Sequence, residues 1–271
     1  MTQTRTVFYL SDQTALTAEL LGQTLISQFD SIDFITQTLP YIDSEEKARE
    51  VVELIERNAQ QSGTQPVLIS TVVQSEIKAI LHNSPALMLD VFEHFISPLE
   101  LTFDTHSSHR VGKQHSTENK EAYDNRIQAI NYALKTDDGL SNKLYSKADI
   151  ILLGVSRSGK TPTALYLAMQ FGILAANYPN TEDDLENYEL PTWALQFKDK
   201  LFGLKIDAGR LHEIRTQRRA NSRYASMEQC EHEVKLIHQL YTREAIPTID
   251  TTNLSVEEIA TRIIARTGLK R

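Results

Sequence analysis

A single cysteine, Cys230, stands among 271 residues, so no disulfide can close within one chain. That excludes a disulfide-stapled secreted scaffold and fits a reducing compartment. No apolar run approaches the ~18–20 residues that a membrane-spanning helix needs. Residues 1–7 lack the apolar core of a signal peptide. The expectation is a soluble, cytoplasmic protein with no membrane partner. Positive charge is also scarce: 28 Lys and Arg face 36 Asp and Glu, for a net charge of -8. Nucleic-acid affinity rests on neutralising phosphates, and anionic membranes attract basic surfaces, so neither is an expected partner. Internal repeats and low-complexity tracts are missing too. What is present is an ordinary globular balance, 41% hydrophobic and 24% charged, in a length natural for two domains.

Hydrophobic patterning gives an alternation of strands and helices. Residues 6–10 read as a buried strand, and Ser11-Asp12-Gln13-Thr14 as a polar turn before a helix over 15–29. A strand follows at 34–39. Asp43 and Ser44 can cap a helix whose Ala48, Val51, Val52, Ile55 and Ala59 share one face. Gly63 ends it, and 67–72 is again a strand. Strand, helix, strand, helix, strand implies a parallel sheet with right-handed crossovers. Residues 74–96 read as mostly helical, broken near Pro85; 102–119 read as a long polar loop, and 121–134 as a helix. A linker over 140–147 sets the expected boundary between an N-terminal α/β domain, 1–140, and a second α/β domain, 141–271. The second opens with a strand at 149–153, with further strands at 201–206 and 248–250 and helices at 160–171, 228–241 and 256–267.

Gly154-Val155-Ser156-Arg157-Ser158-Gly159-Lys160-Thr161 satisfies the Walker A spacing G-x-x-x-x-G-K-[ST], and its setting between a buried strand and an apolar helix is the one that motif requires. Glycines let backbone N–H groups turn toward an anion, and the helix N-terminus adds partial positive charge. Lys160 would reach the outer phosphates and the Thr161 hydroxyl would ligate Mg²⁺. The residues therefore point to a phosphotransferase with a P-loop, kinase-like second domain.

Phosphoryl transfer to a hydroxyl also calls for a metal-holding acid and a base. Asp207 follows the run 201–206 and reads equally as a metal-holding acid or as a helix cap. Asp137-Asp138-Gly139 reads as a source of a base or as a helix-ending turn. Arg210, Arg215, Arg218, Arg219 and Arg223 form a basic cluster in an acidic chain; they suit a solvated helix face or, for one or two such as Arg215 and Arg218, phosphate. His106, His109 and His115 match no tight metal template and suit a solvated loop.

These residues together resemble the phosphoenolpyruvate synthase regulatory protein family, related to the plant pyruvate, phosphate dikinase regulatory protein. The likeness is densest from Ala148 through the loop to Thr163, and again at Tyr166-Leu167-Ala168 and Ala176-Asn177-Tyr178-Pro179. It extends to Ser11-Asp12, Gly112, His115, Tyr123, Arg126-Ile127, Asp137-Asp138-Gly139, Gly203-Leu204, Ile206-Asp207, Ile214-Arg215, Arg218 and residues 255–260. Ala15 stands where glycine is expected, and Thr136 where many relatives carry histidine. The resemblance implies a bifunctional serine/threonine kinase and phosphorylase. As kinase it uses ADP to phosphorylate a threonine of phosphoenolpyruvate synthase and inactivates that enzyme. As phosphorylase it removes the phosphate with inorganic phosphate, releases pyrophosphate and restores activity. The corresponding expectations are ADP in residues 154–161, Lys160 at the transferring phosphoryl group, Asp137 or Asp138 orienting the threonine hydroxyl, and Mg²⁺ on Thr161 and Asp207. The N-terminal domain is expected to recognise the protein substrate, and self-association is left open. A P-loop small-molecule kinase and a non-catalytic nucleotide-sensing regulator are the competing readings.

Overall fold

Short runs of buried apolar residues, each followed by an amphipathic segment, build two parallel sheets in the computed structural model, which describes residues 3–108, 120–139, 142–181, 184 and 189–270. The chain divides into two compact units, Met1–Ser116 and Thr117–Arg271. The expected α/β class holds for both.

The first unit runs β1 (Gln3–Leu10), α1 (Leu16–Ile26), β2 (Ile32–Leu39), α2 (Glu45–Ser62), β3 (Val67–Ser70), α3 (Ser75–Leu81), β4 (Leu87–Asp90) and α4 (Val91–Phe103). Its strands lie in the order β2-β1-β3-β4, all parallel. Successive side chains of β1 point to opposite faces, as a pleated strand requires. Phe8 and Leu10 pack on Ala48, Val51 and Ile55 of α2, while Val7 and Tyr9 pack with Ala18 of α1. Ser44 caps α2 by accepting from the Lys47 N–H, and Gly63 closes it in the left-handed region.

The second unit runs α5 (Lys120–Lys135), a 3-10 turn at Asp137–Gly139, a 3-10 segment at Asn142–Lys147, β5 (Ile150–Gly154), α6 (Lys160–Phe171) and β6 (Ala175–Pro179). It continues with α7 (Thr192–Leu195), β7 (Leu201–Lys205), α8 (Ala208–Arg218), a 3-10 turn at Arg223–Ala225, α9 (Met227–Arg243), β8 (Thr248–Asp250) and α10 (Val256–Thr267). The strand order β6-β5-β7-β8 is again parallel throughout. Ile150 and Leu152 face α6 and α10; Ile151 and Leu153 face Leu211 of α8 and Leu236 and Ile237 of α9. Helices thus cover both faces of β5, which explains why all five of its residues are buried.

Three expectations change. The units meet at 116/117 rather than 140/141, because Ala129 and Ala133 of α5 pack on Ala168 of α6 and carry the Asp137–Gly139 turn into the second unit. Residues 87–90 form a strand within the segment expected to be helical: after α3, Leu87 to Asp90 pair with Val67 to Ser70. Residues 91–103 then form α4, which takes Thr102 and Phe103 from the expected loop. The remainder of that loop from 109, with His109, Gly112 and His115, lies outside the described residues.

Candidate functional site

The loop leaves β5, the strand at which chain order reverses between β6 and β7, where parallel α/β sheets bind ligands at the carboxyl ends of their strands. Its carbonyls are held from several elements. Gly154 O accepts from the Asn180 N–H at 3.2 Å, and Val155 O from the Ser158 N–H at 3.2 Å. Ser156 O accepts from Arg215 Nε at 3.3 Å and Nη2 at 3.1 Å, and Ser158 O from Thr251 Oγ1 at 3.2 Å. The N–H groups of Ser156, Arg157 and Gly159 have no partner among the described residues. With the Gly154, Ser156 and Ser158 carbonyls tied to residues outside it, the loop has N–H groups available for an anion at the start of α6.

Glycine is needed at both ends for different reasons. A Cβ on Gly154 would stand 2.3 Å from Ser158 Oγ and 3.1 Å from Leu204 O. Gly159 has φ 92, which L side chains rarely adopt. Over the loop opens a cavity of about 570 Å³ whose walls include Arg157, Lys160, Arg218 and Arg219 against one carboxylate, Asp138. That local excess of cations is opposite in sign to the net charge of the chain, -8. Lys160 is buried and its Nζ donates to Val155 O at 3.0 Å. Burial pushes its ammonium down to about 8; Asp138 and Asp137 work against that fall, and Arg215 and Arg157 add to it.

Asp137 and Asp138 come to this loop across 24 positions of sequence. Asp137 Oδ1 accepts from Thr161 Oγ1 at 2.8 Å and also from Asn177 Nδ2. The Asp138 N–H donates to Asn177 Oδ1 at 3.1 Å, and Asp138 holds φ 47, in the left-handed region. Thr136, where a histidine was expected, is fully buried and donates to Tyr132 O at 2.9 Å.

Two expected site residues do other work. Asp207 is exposed and caps α8, accepting from the Arg210 N–H at 3.1 Å; the carboxylate beside Thr161 is Asp137. Arg215 is fully buried, and its five N–H groups go to Ser156 O twice, Tyr224 O and both oxygens of Glu233. Its guanidinium also stacks on the Tyr224 ring at 4.2 Å, and the Tyr224 hydroxyl bonds Ser156 Oγ at 2.9 Å. With no donor left for a ligand, Arg215 braces the loop, while Arg157, Arg218 and Arg219 line the cavity. Glu233 and Tyr224 were missed by sequence reasoning, since neither lies in a motif; Asn177 stood in the run Ala176-Asn177-Tyr178-Pro179 that carries the family likeness, but was given no place in the site. In the first unit, Ser11 Oγ accepts from the Gln13 N–H and Asp12 Oδ2 from the Val73 N–H, so both shape turns at the carboxyl ends of the inner strands β1 and β3. His106 is exposed.

Residues 7–264 match the family described as Kinase/pyrophosphorylase. The chain belongs to the kinase/pyrophosphorylase family. Relatives described as "Putative phosphoenolpyruvate synthase regulatory protein" include one from Alcanivorax borkumensis, 51% identical over 98% of both chains. Others are from Pseudomonas aeruginosa, 50% identical over the whole of this chain and 99% of the relative, and Marinobacter nauticus, 50% identical over 98% of each. Family membership sets the chemistry as phosphoryl transfer, in agreement with a cation-walled cavity over an N–H-lined loop. No helix among the described residues is long and apolar enough to cross a membrane.

Proposed function

We propose that this chain is a bifunctional, ADP-dependent serine/threonine kinase and phosphate-dependent phosphorylase that inactivates and reactivates phosphoenolpyruvate synthase through one threonine. The target is taken from the relatives' names. The observation that supports the reading is the loop over 154–161, braced by its carbonyls, with Lys160 inside it and two carboxylates at its edge.

In the kinase direction the threonine oxygen attacks the β-phosphorus of ADP. The bond from that phosphorus to the bridging oxygen of the α-phosphate breaks, and AMP leaves. Lys160 and the loop N–H groups stabilise charge on the moving phosphoryl group, which is where most catalysis of this kind arises. Asp138 lines the cavity and is exposed, so it is the carboxylate that meets the threonine hydroxyl and takes its proton. In the reverse direction an oxygen of inorganic phosphate attacks the phosphothreonine phosphorus. The bond to the threonine oxygen breaks, pyrophosphate leaves, and the threonine regains its proton. Arg218 suits the incoming phosphate.

Thr161 Oγ1 and Asp137 are hard oxygen donors 2.8 Å apart, a pair that suits Mg²⁺ with the remaining ligands supplied by water and phosphate oxygens. Mg²⁺ there would neutralise phosphate charge. Among the described residues no cluster of three or more His, Cys, Asp or Glu side chains forms a metal cage.

The test mixes the pure chain with phosphoenolpyruvate synthase carrying its active-site phosphate and either ADP or ATP, and maps new phosphothreonine by mass spectrometry. Phosphothreonine formed with ADP, and pyrophosphate released when inorganic phosphate is added, are the expected results. Nucleotide binding with no phosphothreonine under any condition would leave only a nucleotide-sensing regulator. Consumption of ATP with a metabolite would make the chain a small-molecule kinase.

A further inference from the structure

Asn177 lies in β6 opposite Leu152 of β5, 1% exposed. A buried amide is costly unless its polar atoms are paired. Here both ends are used, on two consecutive residues of one turn: Oδ1 accepts from the Asp138 N–H at 3.1 Å, and Nδ2 donates to Asp137 Oδ1. The strand position is itself tied down, since Tyr145 Oη donates to Asn177 O at 3.2 Å.

The turn needs such support. Asp138 at φ 47 and Gly139 at φ 74 are both left-handed, a conformation that costs an L residue ~1–2 kcal/mol. Asp137 Oδ1 is held from two sides, by Thr161 and Asn177, so its carboxylate has a fixed direction. The Asp138 N–H is held too, which sets the direction in which its side chain enters the cavity. We propose that Asn177 is a positioning residue for phosphoryl transfer: its amide clamps the 137–138 turn so that both carboxylates address the phosphate loop. This rests on the reading of Asp137 and Asp138 given above.

The experiment compares Asn177→Ala, Asn177→Asp, Asp138→Asn and the Asn177→Ala/Asp138→Asn double variant of the full chain. It reads kcat and KM in ADP-dependent phosphorylation of phosphoenolpyruvate synthase, ADP affinity by calorimetry, and folding by circular dichroism. Loss of a supporting hydrogen bond of this sort lowers kcat by about 10- to 100-fold, with KM for ADP within about twofold because the loop itself is intact. Asn177→Asp keeps the size and the acceptor for the Asp138 N–H but sets an oxygen against Asp137, so it falls as far, and it decides the matter if Asn177→Ala does not fold. The double variant falls by less than the product of the two single losses, since part of what Asn177 does is exerted through Asp138. Near-normal kcat in both Asn177 variants beside a crippled Asp138→Asn overturns the clamp and spares the carboxylate reading. Near-normal activity in Asp138→Asn overturns that reading and the clamp with it. Additive losses with equal loss of ADP affinity would make Asn177 a packing residue only, and also overturn the proposal.

Discussion

Lys160 is an amine enclosed by protein, with one hydrogen bond to Val155 O and its ammonium pushed down to about 8, chiefly by burial. An anion in the loop favours the charged form, so ADP affinity in metal-free buffer should be full below about pH 8 and weaken above it; calorimetry across pH 6.5–9.5 checks this. The folded chain gives up this proton more readily than the unfolded one, whose value is near 10.5. The cost of burying the charge is therefore full below about pH 8 and fades toward pH 10.5. Lys160→Ala should lower kcat by about 100- to 1000-fold, the cost of deleting a donor aimed at developing charge. Near-normal ADP-dependent phosphorylation would remove the loop from the chemistry. Asp207→Ala should behave otherwise. As a helix cap it loses about 1 kcal/mol in urea unfolding while kcat stays within about twofold; a drop in kcat of several orders would return the metal to Asp207.

The elements around the loop are joined through one buried ion pair. Glu233 of α9 holds Arg215 of α8 at 2.7 Å, and Arg215 holds Ser156 O. Removing one member of such a pair strands a charge, so Glu233→Ala should cost about 3–5 kcal/mol in denaturant unfolding. Arg215→Met/Glu233→Met should recover part of that stability yet still bind ADP weakly, because Ser156 O has lost its tether. Equal ADP affinity in parent and double variant would show that the brace does not shape the loop. This tie also marks where sequence reading stops. The strand–loop–helix context of 150–171 was legible because apolar runs, two glycines and Lys-Thr report local geometry. That Arg215 points inward was not, because its partner lies 18 residues on in a polar-looking stretch, and an arginine cluster reads the same whether it faces water or Glu233. β4 was hidden for a related reason: Leu87, Met88 and Leu89 are good helix formers, and only pairing with β3 makes them a strand.

At the scale of the molecule, the same parallel order appears twice: β2-β1-β3-β4 in one unit and β6-β5-β7-β8 in the other. The sequence shows no internal repeat, so the likeness lies in topology rather than residues. The two units differ in what fills the turn after their first strand. In the first, Ser11 and Asp12 spend their side chains on turn N–H groups; in the second, the corresponding turn is the N–H-lined loop over Lys160. Each unit has its own sheet with helices packed on it and its own buried clusters. Every described residue of the loop, its carbonyl tethers and both carboxylates lies in Thr117–Arg271. Residues 117–271 expressed alone should therefore unfold cooperatively and bind ADP within about threefold of the full chain, a difference under ~1 kcal/mol. If the first unit recognises the protein substrate, the same fragment should fail to phosphorylate phosphoenolpyruvate synthase at concentrations where the full chain is active. A fragment that folds, binds ADP and phosphorylates the target as well as the full chain would assign recognition to the second unit. A fragment that folds but cannot bind ADP would mean that the first unit completes the nucleotide site.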